Sequence, residues 1–362
     1  MIRLIFAILD AMPGRQLPLF PEASAPTLRE VADAVREAGL DGLPDAQARA
    51  DRARYQEVRV RSALARTEGM PFKWALNPYR GCTHACEYCY ARKYQRHLEL
   101  GAGDEFSSVI LVKQNIVEAL RRELAGPQWS RETVAVGTAT DPYQPIEGHY
   151  RLTRRSLEVL AESRTPASIV TKGPMVVRDI DVLREIGRRA GCRVYLSVPS
   201  VDSDAWARLE PGTARPEQRL RAVRQLTDAG IEAGVLMMPL VPGITTAPAV
   251  IERTLRAIAD SGARFVGTCV ARLDPGVREH FFAFLQRDYP QLVEGYERLY
   301  ARNRAAPAYV REIEALVDVL RRKTGLGPPT SRDASPSGRG PAPRSADASR
   351  TATSIPGPRT AS

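Results

Sequence analysis

The sequence predicts an α/β protein built on parallel strands. Between about residues 72 and 273, short apolar runs alternate with amphipathic helical runs. The apolar runs are nearly continuous rather than alternating, as strands covered on both faces require. Right-handed crossovers between such strands lead to a doubly wound sheet or a barrel. The strand candidates are residues 74–79, 133–140, 167–172, 193–198, 233–240 and 265–271. Helical patterns at 116–124, 154–162, 176–189, 216–229 and 247–260 lie between them. Six strands suit either architecture, and spacing alone does not choose.

The flanks read differently. Residues 1–55 form an N-terminal extension: 16–21 are broken by proline and extended, and Thr27 caps a helical pattern over 28–37. Residues 56–275 form the core. Residues 276–324 hold two C-terminal helical patterns, 279–300 and 309–323. In the second, Val310, Ile313, Leu316, Val317 and Leu320 make a one-sided apolar face, suited to covering an open sheet edge. From Gly325 to Ser362 the chain is rich in Pro, Ser, Gly, Ala and Arg, too poor in large apolar side chains to offset the entropy of ordering, and reads as a disordered tail.

The chain has 362 residues, 43% hydrophobic and 26% charged, which excludes collagenous, coiled-coil and wholly disordered classes. No run approaches the ~18 apolar residues of a membrane span. The apolar start is cut off by Asp10, too early for a signal peptide, so the expected location is cytoplasmic. The formal charge is +10, of which five arginines against two aspartates place +3 in the tail. Only five lysines occur among 52 basic residues. Such a balance suits an anionic partner such as nucleic acid, and also a coding bias toward arginine.

The chemistry concentrates in residues 77–92, Asn-Pro-Tyr-Arg-Gly-Cys-Thr-His-Ala-Cys-Glu-Tyr-Cys-Tyr-Ala-Arg. Three of the five cysteines, Cys82, Cys86 and Cys89, fall within eight residues in the spacing C-x3-C-x2-C. Clustered thiols in a chain that is not secreted point to metal rather than disulfide. Zinc asks for four tetrahedral ligands; His84 lies inside the loop, and no second cysteine pair follows. Three thiolates suit an iron–sulfur cluster that leaves one iron without a protein ligand. Cys192 and Cys269 lie in strand-like runs and read as buried small hydrophobes.

This string resembles the radical S-adenosylmethionine (SAM) superfamily, and within it the branch of spore photoproduct lyases and DNA repair photolyase-like proteins. Further matches are Gly137-Thr-Ala-Thr-Asp-Pro-Tyr-Gln-Pro-Ile-Glu147, Leu152-Thr-Arg154, Thr171-Lys172-Gly173, Ser197-Val-Pro199, Glu210-Pro211 and the run 239–243. The resemblance covers about residues 70 to 275. It implies a partial (β/α)6 TIM-like barrel with its site at the C-terminal strand ends. It implies a [4Fe–4S] cluster on Cys82, Cys86 and Cys89, whose fourth iron is chelated by S-adenosyl-L-methionine. An electron from a flavodoxin- or ferredoxin-like donor then cleaves the cofactor to a 5′-deoxyadenosyl radical.

The supporting residues follow as expectations, Tyr88 and Lys172 from the resemblance and the others from their place in the chain. Tyr88 stacks near the adenine. Thr138, Thr140 and Asp141 end a strand in polar groups that meet the methionine amino group or substrate, or else serve as turn chemistry before Pro142. Lys172 pairs with the methionine carboxylate, and Ser197 bonds the ribose. Glu210 takes a cofactor hydroxyl or pairs with Arg215. Tyr143, Gln144 and Glu147 reach the substrate. Arg92, Lys93, Arg96 and His97 make a positive rim for phosphates or a solvated helix face. Met237 and Met238 fill the core.

One departure stands out. Spore photoproduct lyases use a further cysteine, a few tens of residues after the cluster motif, as hydrogen donor. This chain has none between Cys89 and Cys192, which argues against the thymine-dimer lyase reaction itself. Three readings follow: a radical SAM enzyme acting on nucleic acid, a radical SAM enzyme modifying a peptide or small molecule, and a non-catalytic, metal-stabilised nucleic-acid-binding protein. Cofactor cleavage separates the third from the others, and salt-dependent DNA binding separates the first from the second.

Overall fold

A computed structural model of the chain describes residues 53–98 and 105–326, with the backbone alone for 95–98. The N-terminal elements expected over 16–37 and the tail beyond 326 lie outside the described residues.

Seven strands form the main sheet: β2 (Leu64–Arg66), β3 (Trp74–Leu76), β6 (Val134–Val136), β7 (Ala167–Thr171), β8 (Cys192–Ser197), β9 (Glu232–Leu240) and β10 (Val266–Val270). A smaller sheet pairs β1 (Arg54–Val58), β5 (Val109–Lys113) and β4 (Tyr79–Arg80) in the order β1-β5-β4. The main order is β10-β9-β8-β7-β6-β3-β2; β3 and β6 to β10 are parallel, and β2 is antiparallel at the edge. Strand order never reverses, so there is no switch point of the doubly wound kind. The sheet is an open barrel segment, which decides the question that spacing left open.

The two faces of the sheet differ. Ile169, Val194, Val235 and Val266 pack into the main core, against helices α1 (Ile116–Leu124), α2 (Leu152–Glu162), α3 (Ile180–Arg189), α4 (Pro216–Asp228) and α5 (Pro248–Asp260). Each such side chain, buried fully, contributes about 1.5–3 kcal/mol. The opposite face carries a separate cluster of Tyr195, Leu236 and Phe265, with Val170 and Met238 half-buried against it. Helices cover one face only, so the other is left as the concave side.

Three expectations change in detail. The strand over 133–140 stops at Val136, because Gly137 turns the chain at φ 87° and any Cβ there would sit 2.5 Å from the Val170 carbonyl oxygen. The polar residues Thr138, Thr140 and Asp141 therefore lie in a loop above the sheet. The helix over 279–300 is two, α6 (Val277–Asp288) and α7 (Val293–Leu299), because Pro290 forces Tyr289 out of the helical region. The small sheet was not expected, since β1 is mostly exposed and lacks alternation.

The last helix, α8 (Pro307–Lys323), buries Ile313, Val317 and Leu320 and half-buries Val310 and Leu316. Just before it, Asn303 accepts the Leu273 amide at 2.9 Å, and Arg272 bridges to Arg304, so the chain beyond β10 lines that open edge. Among the described residues no helix is long and apolar enough to cross a membrane.

Candidate cofactor site at the strand ends

The three clustered cysteines lie on the loop that leaves β4. The loop is held by backbone hydrogen bonds: Ala85 N donates to Cys82 O (3.3 Å) and Cys89 N to Cys86 O (3.2 Å) within it, and Cys82 N to Phe106 O (3.0 Å) on the short helix 105–108. Arg92, buried, lies beneath it and donates to Cys86 O and Ala85 O, both at 3.1 Å, with its guanidinium 5.2 Å from the Phe106 ring. Arg92 is thus a support for the loop rather than part of a positive rim. Lys93 pairs with Asp274 at 2.7 Å. The side chains of Arg96 and His97 lie outside the described residues.

Two other segments clamp the loop. From above β6, Thr140 donates to Gly81 O (2.5 Å), and Gln144 donates to Thr140 Oγ1 (3.0 Å) while accepting from Thr83 N (3.2 Å). From beyond β8, Glu87 N donates to Leu209 O (3.0 Å) and Gly212 N to His84 O (3.1 Å). Gly212 comes so close that a Cβ would sit 2.3 Å from the Thr83 carbonyl oxygen, so the contact requires glycine.

Asp141 is buried and accepts from Tyr143 N (2.9 Å), Thr171 Oγ1 (2.6 Å) and Lys172 N (2.7 Å), with His84 Nδ1 at 3.2 Å but off the line of a hydrogen bond. Burial opposes its charge, but His84, Thr171 and the Lys172 amide outweigh that and hold the carboxyl at about 2.

The second half of the site is an ion network. Glu210, at the end of a short helix over residues 203–209, is buried. It accepts from Arg219 Nη2 (2.6 Å) and from the Tyr88 hydroxyl, with Lys172 Nζ 3.8 Å away. Lys172 lies over the Tyr88 ring at 5.6 Å. Arg219 is fully buried and also donates to Ala214 O (2.8 Å), Ser197 O (2.8 Å) and Thr213 Oγ1 (2.7 Å). The partner of Glu210 is therefore Arg219. Arg215 instead lies over the Trp206 ring at 5.7 Å. Burial works against ionising Glu210, but Arg219 and Lys172 hold it below the usual carboxylate range. Burial likewise opposes the Lys172 ammonium, and the Cys86 sulfur and Glu210 reverse that.

The remaining expected residues sit nearby. Ser197 Oγ donates to Met238 O at 3.3 Å. Thr138 Oγ1 accepts from Asn77 Nδ2 at 3.2 Å. Tyr143 and Glu147 do not face the site. Tyr143 donates to Asp179 (3.0 Å), and Glu147 accepts from Tyr79 (2.5 Å) and Arg178 (2.8 Å), in a buried network that ties the helices together. Gln144 acts on the loop, as above. Met237 is buried, as is Cys192, whereas Met238 and Cys269 are half-buried. Arg219 is a functional residue that the motif strings do not mark. Its signal was its place at helical spacing with Ala222, Val223 and Leu226, all buried.

Cys82 and Cys86 are buried and Cys89 half-buried, all three free. Burial and Asp141 push the Cys82 thiol up, and burial pushes Cys86 up to about 12. A thiol that coordinates iron would be held deprotonated despite this. Among the described residues no three His, Cys, Asp or Glu side chains converge on one ion. A [4Fe–4S] cluster asks for no such point, since each cysteine binds a different iron. The donor set fits that cluster.

Comparison with known proteins agrees. The family model of the radical SAM superfamily matches residues 76–264. An uncharacterized protein of Mycobacterium tuberculosis (strain ATCC 25618 / H37Rv) is 37% identical over 262 residues, 72% of this chain and 77% of the relative. A radical SAM Nalpha-GlyT isomerase of Pseudomonas phage M6 is 28% identical over 47% of this chain and 33% of its own length. In fold, the chain resembles a spore photoproduct lyase solved with AdoMet and a dinucleoside spore photoproduct, with TM-score 0.59 and 18% identity over 82% of this chain and 92% of that one. The chain belongs to the radical SAM superfamily, whose members are enzymes that bind a [4Fe–4S] cluster and S-adenosylmethionine and draw on a reductant.

Proposed function

We propose that this protein reductively cleaves S-adenosylmethionine and directs the resulting radical at a nucleic-acid substrate. One observation carries the reading: the three-thiol loop, Lys172 and the Glu210–Arg219 pair meet at the C-terminal ends of the strands. When bound, the cluster and S-adenosylmethionine supply a 5′-deoxyadenosyl radical. Everything else falls to the chain.

Cys82, Cys86 and Cys89 would hold the cluster. Lys172, charged and close to Cys86 and Glu210, would meet the methionine carboxylate as a point charge. Glu210, kept ionised by Arg219, fixes Lys172 and the Tyr88 ring on one side. Tyr88 and Ser197 would border the nucleoside half, with Thr138 on the opposite rim. Thr140 and Asp141 act on the loop and on the Lys172 backbone. The concave apolar face of Tyr195, Leu236 and Phe265 keeps water from below.

The nucleic-acid reading is supported by the formal charge of +10 and by the dinucleoside bound to the photoproduct lyase of like fold. A flavodoxin- or ferredoxin-like donor in the cytoplasm suits a cluster that must be reduced. The test is anaerobic cofactor cleavage with dithionite, with and without a single-stranded DNA oligonucleotide. Stimulation by the oligonucleotide, together with a changed nucleoside in its digest, is the expected result. Cleavage that the oligonucleotide neither stimulates nor turns into a changed nucleoside would remove nucleic acid as the substrate.

A further inference from the structure

Lys113 ends β5 beside the mouth. Its ammonium donates to Asn77 O at 2.8 Å, and it is half-buried. Among the described residues it forms no ion pair. Burial, with the Arg80 guanidinium nearby, pulls it down to about 8. Pairing of Arg80 with Leu111 across β4 and β5 places Arg80 and Lys113 on the same face as diagonal neighbours. Arg80 donates to Tyr94 O. A half-buried ammonium beside a guanidinium, with no carboxylate on it among the described residues, is costly unless an anion joins it.

The surroundings say which anion. Asn77, which carries Lys113, also donates to Thr138 Oγ1 (3.2 Å) and accepts from Ala139 N (2.8 Å), so it ties the lysine to the loop above β6. On the other side of Thr138, its carbonyl accepts from the hydroxyl of Tyr90, the residue after Cys89. Tyr90 is 42% exposed and meets Tyr94 edge-on at 6.5 Å. Cations flanked by an exposed aromatic ring are what single-stranded nucleic acid binds, the cations taking phosphate and the rings taking bases.

We propose that Lys113, with Arg80 beside it, is a binding subsite for a phosphate group of a nucleic-acid strand, placed next to the cluster loop. This deepens the proposed function and rests on its nucleic-acid reading.

The test uses the full chain, cluster-loaded and anaerobic, with a fluorescein-labelled single-stranded thymidine oligonucleotide. Lys113→Gln keeps a donor for Asn77 O and removes the charge. It should weaken binding about tenfold at low salt and reduce the salt slope by about one, while Lys113→Arg should bind like the parent. Lys113→Gln binding with the parent's affinity and slope would overturn the proposal. A second readout needs no variant: acetylation of Lys113, followed by mass spectrometry, should be suppressed by the oligonucleotide and only weakly by inorganic phosphate. Equal protection by inorganic phosphate would keep the subsite and assign it to free phosphate. If the parent binds no oligonucleotide, the nucleic-acid reading falls, and protection by inorganic phosphate alone decides the subsite. Acetylation unchanged by either would overturn it.

Discussion

Arg219 and Glu210 form a buried ion pair, Nη2 to Oε2 at 2.6 Å, at the centre of the site's second half. The pair joins a helix behind the sheet to the Tyr88 hydroxyl on the cysteine loop and, at 3.8 Å, to Lys172 on the end of β7. Removing one partner leaves the other charged and buried. Arg219→Met should therefore cost about 3–5 kcal/mol. Arg219→Met combined with Glu210→Gln should recover much of that, as read by thermal unfolding of the single and double variants. A single variant within about 1 kcal/mol of the parent would show that the pair is not what holds this wall.

Gly212 touches the cysteine loop where no side chain fits. Gly212→Ala should push Thr83 and His84 aside and lower iron and sulfide content after reconstitution, with the barrel still folded by circular dichroism. A full cluster in the variant would show that the 209–213 segment does not set the loop.

Gln144 holds the loop through Thr83 N, Thr140 and, at 3.3 Å, Gly81 O. Gln144→Leu leaves the Thr83 amide buried and unpaired, a cost of about 1–3 kcal/mol. The cluster's visible absorbance should bleach faster in air than in the parent. Equal bleaching would show that the other contacts suffice.

Lys113 is lowered from 10.5 to about 8. Between those values the unfolded chain holds more protons than the folded one, so this group's contribution to stability rises with pH across that window. Lys113→Met removes the dependence. The variant should gain on the parent in thermal midpoint at pH 7 relative to pH 10. A difference that does not change with pH would show that the ammonium is not desolvated.

Much of this was legible in the residues. The barrel strands read as continuous apolar runs because both faces of β7 to β10 meet side chains. The cysteine motif carries its own spacing. What spacing could not show is three-dimensional. Nothing in the spacing shows that Arg154 and Arg178 close on the buried Asp179, or that Arg178 also pairs with Glu147. Arg92 reads as a rim or solvated-face residue for the same reason, since nothing in its neighbours along the chain shows that its guanidinium faces the Ala85 and Cys86 carbonyls. Tyr143 and Glu147 lie in a motif-dense string, and their neighbours in the fold turn them inward, away from the mouth.

The central claim is cofactor cleavage at the three-thiol loop. The direct measurement is anaerobic: reconstitute the chain with iron and sulfide, add dithionite and S-adenosylmethionine, and quantify 5′-deoxyadenosine beside iron content, for the parent and for Cys86→Ala. The expected result is product from the parent, none from Cys86→Ala, and iron retained only by the parent. No product from a parent carrying a full cluster would contradict the claim, as would equal product from Cys86→Ala.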